Sequence, residues 1–156
     1  MIPGETLAGL GIGATDIDHV GIAVRDLDAA VRHYRMVLGT EPVHRETIES
    51  DGVDEALFAV GGSFVQLLAP TGPDTPVGRF LERRGEGVHH VGYRVRDVAG
   101  ALEHLREHGV QLADQHPRRG SRGTTVAFAH PKGFAGVLVE LVEEGSATEA
   151  LGEDEQ

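Results

Sequence analysis

Asp18-His19-Val20-Gly21-Ile22-Ala23-Val24-Arg25-Asp26-Leu27 returns as His89-His90-Val91-Gly92-Tyr93-Arg94-Val95-Arg96-Asp97-Val98, an offset of 90 − 19 = 71 residues. Ala29-Ala30-Val31 then matches Gly100-Ala101-Leu102, and each copy reaches a glycine, Gly39 or Gly109. Later, Val65-Gln66-Leu67-Leu68 matches Val139-Glu140-Leu141-Val142 at 140 − 66 = 74, so the second half carries a small insertion. An internal repeat outranks every other fold signal. The chain is two copies of one module.

Each copy opens with a strand. Over residues 17–24 the two-residue period puts Ile17, His19, Gly21 and Ala23 on one face, and Asp18, Val20, Ile22 and Val24 on the other. A helix follows, capped by Asp26, with Leu27, Ala30, Val31, Tyr34, Val37 and Leu38 at helical spacing and Gly39 just past its end. The second copy does the same with Asp97, then Val98, Ala101, Leu102 and Leu105, then Gly109. Strand-like runs follow at 43–49, 53–60 and 63–69, and again at 110–115, 123–129 and 136–143. Between the copies, Thr75-Pro76 ahead of Val77, Phe80 and Leu81 predicts a short capped helix. Each module reads βαβββ. One such half-sheet is too small to bury its apolar face alone, so two should pack about a pseudo-twofold axis, with equivalent positions facing each other.

The 156 residues, 40% apolar and 25% charged, suit one domain of this kind. The expected organisation is a flexible N-terminal segment at 1–15, a paired domain at 16–143 and an acidic disordered tail at 144–156. Within the domain, module one covers 16–70, a linker helix 71–86 and module two 87–143. With no cysteine, disulfides, thiolate metal sites and cysteine nucleophiles are excluded. No apolar run reaches about 18 residues and no basic leader precedes an apolar stretch, so the expected place is the cytoplasm, away from membranes. A net charge of −11 argues against nucleic acid as a partner.

Four polar residues interrupt apolar strand patterns: His19 and His90 in the opening strands, Gln66 and Glu140 in the late ones. A carboxylate inside an apolar strand costs several kcal/mol, about 3 or more, unless paired or bound to metal. A single histidine in a strand is ordinarily a hydrogen-bonded structural residue. Two at equivalent positions, with two equivalent late-strand partners, point to a shared cation. Two imidazoles, an amide oxygen and a carboxylate suit a borderline divalent ion, and Gly21 and Gly92 leave room beside the histidines. His89 is expected on the opposite face from His90. His33, His104 and His108 read as solvated helix residues, and His44, His116 and His130 have no evident partner.

These residues carry a resemblance. The paired HVG…RD modules with His19, Gln66, His90 and Glu140 resemble the vicinal-oxygen-chelate (glyoxalase/bleomycin-resistance/dioxygenase) superfamily over about residues 17–143. Ile17-Asp18-His19-Val20, Gly52-Val53-Asp54-Glu55, His130-Pro131-Lys132-Gly133 and Gly136-Val137-Leu138-Val139-Glu140-Leu141 are most similar to its methylmalonyl-CoA epimerases. The resemblance implies an α+β fold of two tandem βαβββ modules forming a pseudo-twofold open barrel-like sheet. It implies one divalent metal ion per chain, Co2+ first and Mn2+, Ni2+ or Zn2+ otherwise, on His19, Gln66, His90 and Glu140. It further implies interconversion of the (2R) and (2S) epimers of an acyl-CoA by 1,1-proton transfer through a metal-stabilised enolate. Glu55 is then the base on one face and Glu140 serves the other.

Alternation alone leaves open whether Glu55 or its neighbour Asp54 points inward. Lys132, the only lysine, together with Arg118, Arg119 and Arg122, would meet the phosphates of coenzyme A, although an arginine run also suits a solvated loop. The resemblance implies a homodimer. Rival readings are a glyoxalase I-type lyase acting on a glutathione hemithioacetal, an extradiol dioxygenase (for which Gln66 is superfluous) and a non-catalytic ligand-sequestering resistance protein.

Overall fold

Asp26 and Asp97 begin the two equivalent helices as their sequence context predicts. In a computed structural model, which describes residues 11–145, Asp26 Oδ1 accepts from the Ala29 amide at the start of α1 (Leu27–Leu38). Asp97 Oδ1 accepts from the Gly100 amide at the start of α3 (Val98–Glu107). The lead-in up to residue 10 and the tail from residue 146 lie outside the described residues.

Module one consists of β1 (Ala14–Ala23), α1, β2 (His44–Ile48), β3 (Val53–Val60) and β4 (Ser63–Pro70). The linker carries α2 (Pro76–Arg84), capped by Thr75. Module two consists of β5 (Gly87–Val95), α3, β6 (Arg118–Arg119), β7 (Thr125–Ala129) and β8 (Val139–Glu143). The fold is α+β. Hydrogen-bonded strand order is β2-β3-β4-β1 in one module and β6-β7-β8-β5 in the other, the same adjacency twice.

Residues 18–91 form one compact unit; among the described residues, 11–17 together with 92–145 form a second. The first unit has a layer on each sheet face. Val24, Leu27, Val31, Ala56, Phe58, Leu67 and Ala69 pack under α1. Ala23, Val53 and Leu68 pack with Val77 and Leu81 of α2. In the second unit Val95, Val98, Ala101, Leu102, Leu105, Ala127, Ala129, Val139 and Leu141 form the core under α3. Each such buried Leu or Phe is worth about 2 kcal/mol.

Two expectations change. The run 110–115 is not a strand; it makes one isolated bridge, Leu112 with Ala129. Asp114 explains why. Its amide and that of Ala113 both donate to the Phe128 carbonyl, and its carboxylate takes the Phe128 amide at 2.9 Å, so a side chain occupies the edge of β7. The outer strand of module two is therefore the two-residue β6, starting just after Pro117. The opening strand also starts earlier than Ile17, at Ala14. Among the described residues no helix is long and apolar enough to cross a membrane.

Candidate functional site

Strand alternation sorts the polar residues from the cores. In β4, Leu67 and Ala69 serve the α1 layer, so Gln66 and Leu68 face the other way; in β3, Ala56 and Phe58 serve α1, so Glu55 and Leu57 face the other way. Val139 and Leu141 of β8 serve α3, which turns Glu140 to the opposite side. His19, Glu55, Gln66, His90 and Glu140 are all buried.

Within residues 18–91 the two histidines meet. His19 Nε2 lies 2.9 Å from His90 Nε2, with the rings edge-on. Asp18, wholly buried, accepts from His19 Nδ1 at 2.7 Å. An ionised carboxylate can only accept, so Nδ1 carries the hydrogen and Nε2 keeps its lone pair. On the other ring, His90 Nδ1 lies 2.9 Å from His89 Nδ1, and His89 packs edge-on against Phe80 of α2. His89 therefore touches His90 rather than pointing away. Burial, with His19 and His89 adding repulsion, holds His90 well below the ordinary histidine range, so its ring is neutral near pH 7.

Gly21 explains how the rings fit. It is the Cα partner of Gln66, and a Cβ there would come within 2.3 Å of His90 Cε1. The absent side chain is filled by the imidazole itself. Gln66 Nε2 donates to Glu55 Oε2, while Gln66 Oε1 is buried without a hydrogen-bond partner among the described residues. A buried orphan acceptor beside the His19 and His90 rings is costly alone and fits a cation. Within residues 18–91 the buried imidazoles of His19 and His90 and the Gln66 amide oxygen are donors that suit a metal; Glu140 is buried on β8 of the second unit.

Of the two adjacent acids in β3, Glu55 has no exposed surface, whereas Asp54 is partly exposed and takes the Thr47 hydroxyl. Only packing could decide this. His44 and Glu46, absent from the sequence reading as site residues, lie next to Glu55. His44 Nε2 is 2.8 Å from Glu46 Oε1 and 3.8 Å from Glu55 Oε1. The β2–β3 register brings them there, pairing Glu46 with Glu55. That register follows a 3₁₀ turn at Glu49–Asp51 closed by Gly52 at φ 66°, where a Cβ would lie 2.5 Å from Thr75 Cγ2. The available hint was the spacing of residues 44 and 46 on one strand face. Asp18 and His89 had a clearer one: each precedes its histidine at the same repeat position.

The cationic candidates belong to the second unit. Arg118 Nε reaches Asp114 at 3.2 Å and its guanidinium lies over the Phe128 ring. Arg119 is exposed on β6, and Arg122 has φ 59°. Lys132 is exposed on a 3₁₀ turn, its amide donating to His130 Nδ1.

Comparison with known proteins shows the family. A family model, Glyoxalase/Bleomycin resistance protein/Dioxygenase superfamily, matches residues 18–128. The chain is 39% identical over 127 residues to an ethylmalonyl-CoA/methylmalonyl-CoA epimerase of Cereibacter sphaeroides, covering 80% of this chain and 95% of that one. Among solved structures it is similar to the methylmalonyl-CoA epimerase of Mycobacterium tuberculosis, with TM-score 0.86 and 38% identity over 96% of this chain and 97% of that one. It is also similar to a methylmalonyl-CoA epimerase in complex with methylmalonyl-CoA and NH4+, with TM-score 0.81 and 44% identity over 86% and 97% of the two chains.

Proposed function

Since the chain belongs to the glyoxalase/bleomycin resistance protein/dioxygenase superfamily, we propose that it is an epimerase acting on methylmalonyl-CoA by removing and returning the α-proton. The observation that carries this reading is the pairing of Glu55 with Gln66. The wholly buried Glu55 carboxylate accepts from the Gln66 amide nitrogen, and the Gln66 amide oxygen is a buried acceptor with no hydrogen-bond partner among the described residues. Likeness over most of both chains to proteins named for that activity supports it.

In this reading Glu55 takes the proton lying between the two carbonyl groups, and the Gln66 amide keeps the carboxylate aimed. Glu140 carries the proton on the opposite face, so that return from there inverts the carbon. His19, Gln66, His90 and Glu140 would hold a divalent ion, Co2+ ahead of Mn2+, Ni2+ or Zn2+. When bound, such an ion polarises the thioester carbonyl and offsets the charge left by proton removal. Asp18 keeps the His19 lone pair at Nε2. Lys132, with Arg118, Arg119 and Arg122, is assigned to the phosphates of the acyl-CoA. The same reading extends to a cytoplasmic homodimer.

Deuterium wash-in tests it. Metal-loaded protein in D2O is expected to label the α-carbon of methylmalonyl-CoA while both epimers form, and EDTA is expected to stop both processes. Faster turnover of methylglyoxal with glutathione would replace this reading with that of a lyase.

A further inference from the structure

A base that has taken a proton must lose it again before the next turnover. Glu55 has no exposed surface, so its proton needs a titratable neighbour that reaches water. His44 Nε2 lies 3.8 Å from Glu55 Oε1, and the side chain keeps 29% of its surface exposed. Glu46, 35% exposed, holds the same nitrogen at 2.8 Å. One ligand atom from each of the three residues lies within 4.8 Å of the other two. The placement is built into the sheet: Glu46 is the cross-strand partner of Glu55 and His44 that of Leu57, so 44, 46, 55 and 57 share one face.

We propose that His44, oriented by Glu46, is the residue through which the buried Glu55 exchanges its proton with solvent between turnovers. This rests on the reading of Glu55 as the base. The step starts from neutral His44 with its hydrogen on Nδ1, a tautomer that a partly exposed ring reaches through water. The Glu55 O–H bond breaks and an N–H bond forms at Nε2, giving an imidazolium between two carboxylates. The imidazolium then releases its Nδ1 proton to water and is left donating from Nε2 to Glu46. One proton moves from Glu55 to solvent, and no electrons are exchanged. The reverse sequence recharges Glu55 for the opposite epimer. His44 is thus a positioning and proton-exchange residue, acting through Glu55 without touching substrate.

The test follows a single epimer in D2O with the metal-loaded protein. It measures deuterium entering the remaining starting epimer per inversion, together with turnover and KM. With exchange intact, each return from Glu55 delivers deuterium. In His44→Gln the original hydrogen is expected to go back instead. Deuterium in the starting epimer per inversion should fall about tenfold and turnover about 10–100-fold, with KM little changed and free imidazole restoring both. Glu46→Gln, a milder change at a partly exposed site, should shift the same ratio in the same direction by about threefold. An unchanged ratio in both variants, alongside severe loss of turnover in Glu55→Gln, overturns the exchange role alone. Normal turnover in Glu55→Gln overturns the assignment of the base and this proposal together.

Discussion

Glu55 and Val126 occupy the same place in the two copies. They are 126 − 55 = 71 residues apart, the offset of the two histidines, and each pairs at the equivalent point of its hairpin, Glu55 with Leu68 and Val126 with Val142. Both are buried. One bears a carboxylate, the other an isopropyl group. The flanking strands differ to match, with Glu46 opposite Glu55 and Arg118 opposite Val126. The late-strand pair behaves otherwise. Gln66 and Glu140 are polar in both copies, and the three extra residues that raise their offset to 74 fall between Val126 and Glu140, an interval containing the 3₁₀ turn Pro131–Gly133. A repeated backbone offers matched places. Polar side chains, the proposed cation ligands, fill the late-strand place in both copies, while a carboxylate, the proposed base, fills its place in only one.

Erasing that difference should have the largest effect. Glu55→Gln can still accept from Gln66 but cannot take a proton, so turnover is expected to fall about 10²–10⁴-fold with metal content unchanged, read by wash-in and metal analysis. Next comes the shared centre. Gly21→Ala drives a Cβ into the His90 ring and is expected to weaken metal affinity about 10–100-fold in a competition titration, far more than it moves the urea midpoint.

The metal-free protein should also show the copies' asymmetry in its response to acid. Folding depresses the affinity of His90 for its proton, so the unfolded chain binds more protons below the ordinary histidine range. Stability is then full above that range and lost as pH falls through it, by at most about tenfold in the unfolding constant per pH unit. Urea melts at pH 7 and pH 5 should show this loss, and His90→Asn should reduce it. The smallest effect tests what the copies share: Asp26→Ala and Asp97→Ala should each cost about 1 kcal/mol in urea unfolding, equally in the two helices.

The order and type of the first module's strands and helix were legible, with its opening strand three residues short, because hydrophobic period, Asp caps and glycine stops are local signals. The second module was less so at its edge. Nothing local in residues 110–115 says that the Asp114 carboxylate will take an amide of β7, since that depends on a strand fourteen residues later.

The sequence by itself determined the repeat, the matched capped helices and the four polar positions that break apolar strands, because each is a pattern within a few residues or a comparison of one copy with the other. Only tertiary structure decided which neighbouring acid is inside, that His44 and Glu46 stand against Glu55, and that His89 touches His90. The physical reason is that alternation divides a strand into two faces without saying which is covered. That choice belongs to whatever packs on the sheet: α1 beneath Phe58 and Ala56, α2 over Val53 and Leu68, and the β2–β3 register set by the turn at Gly52.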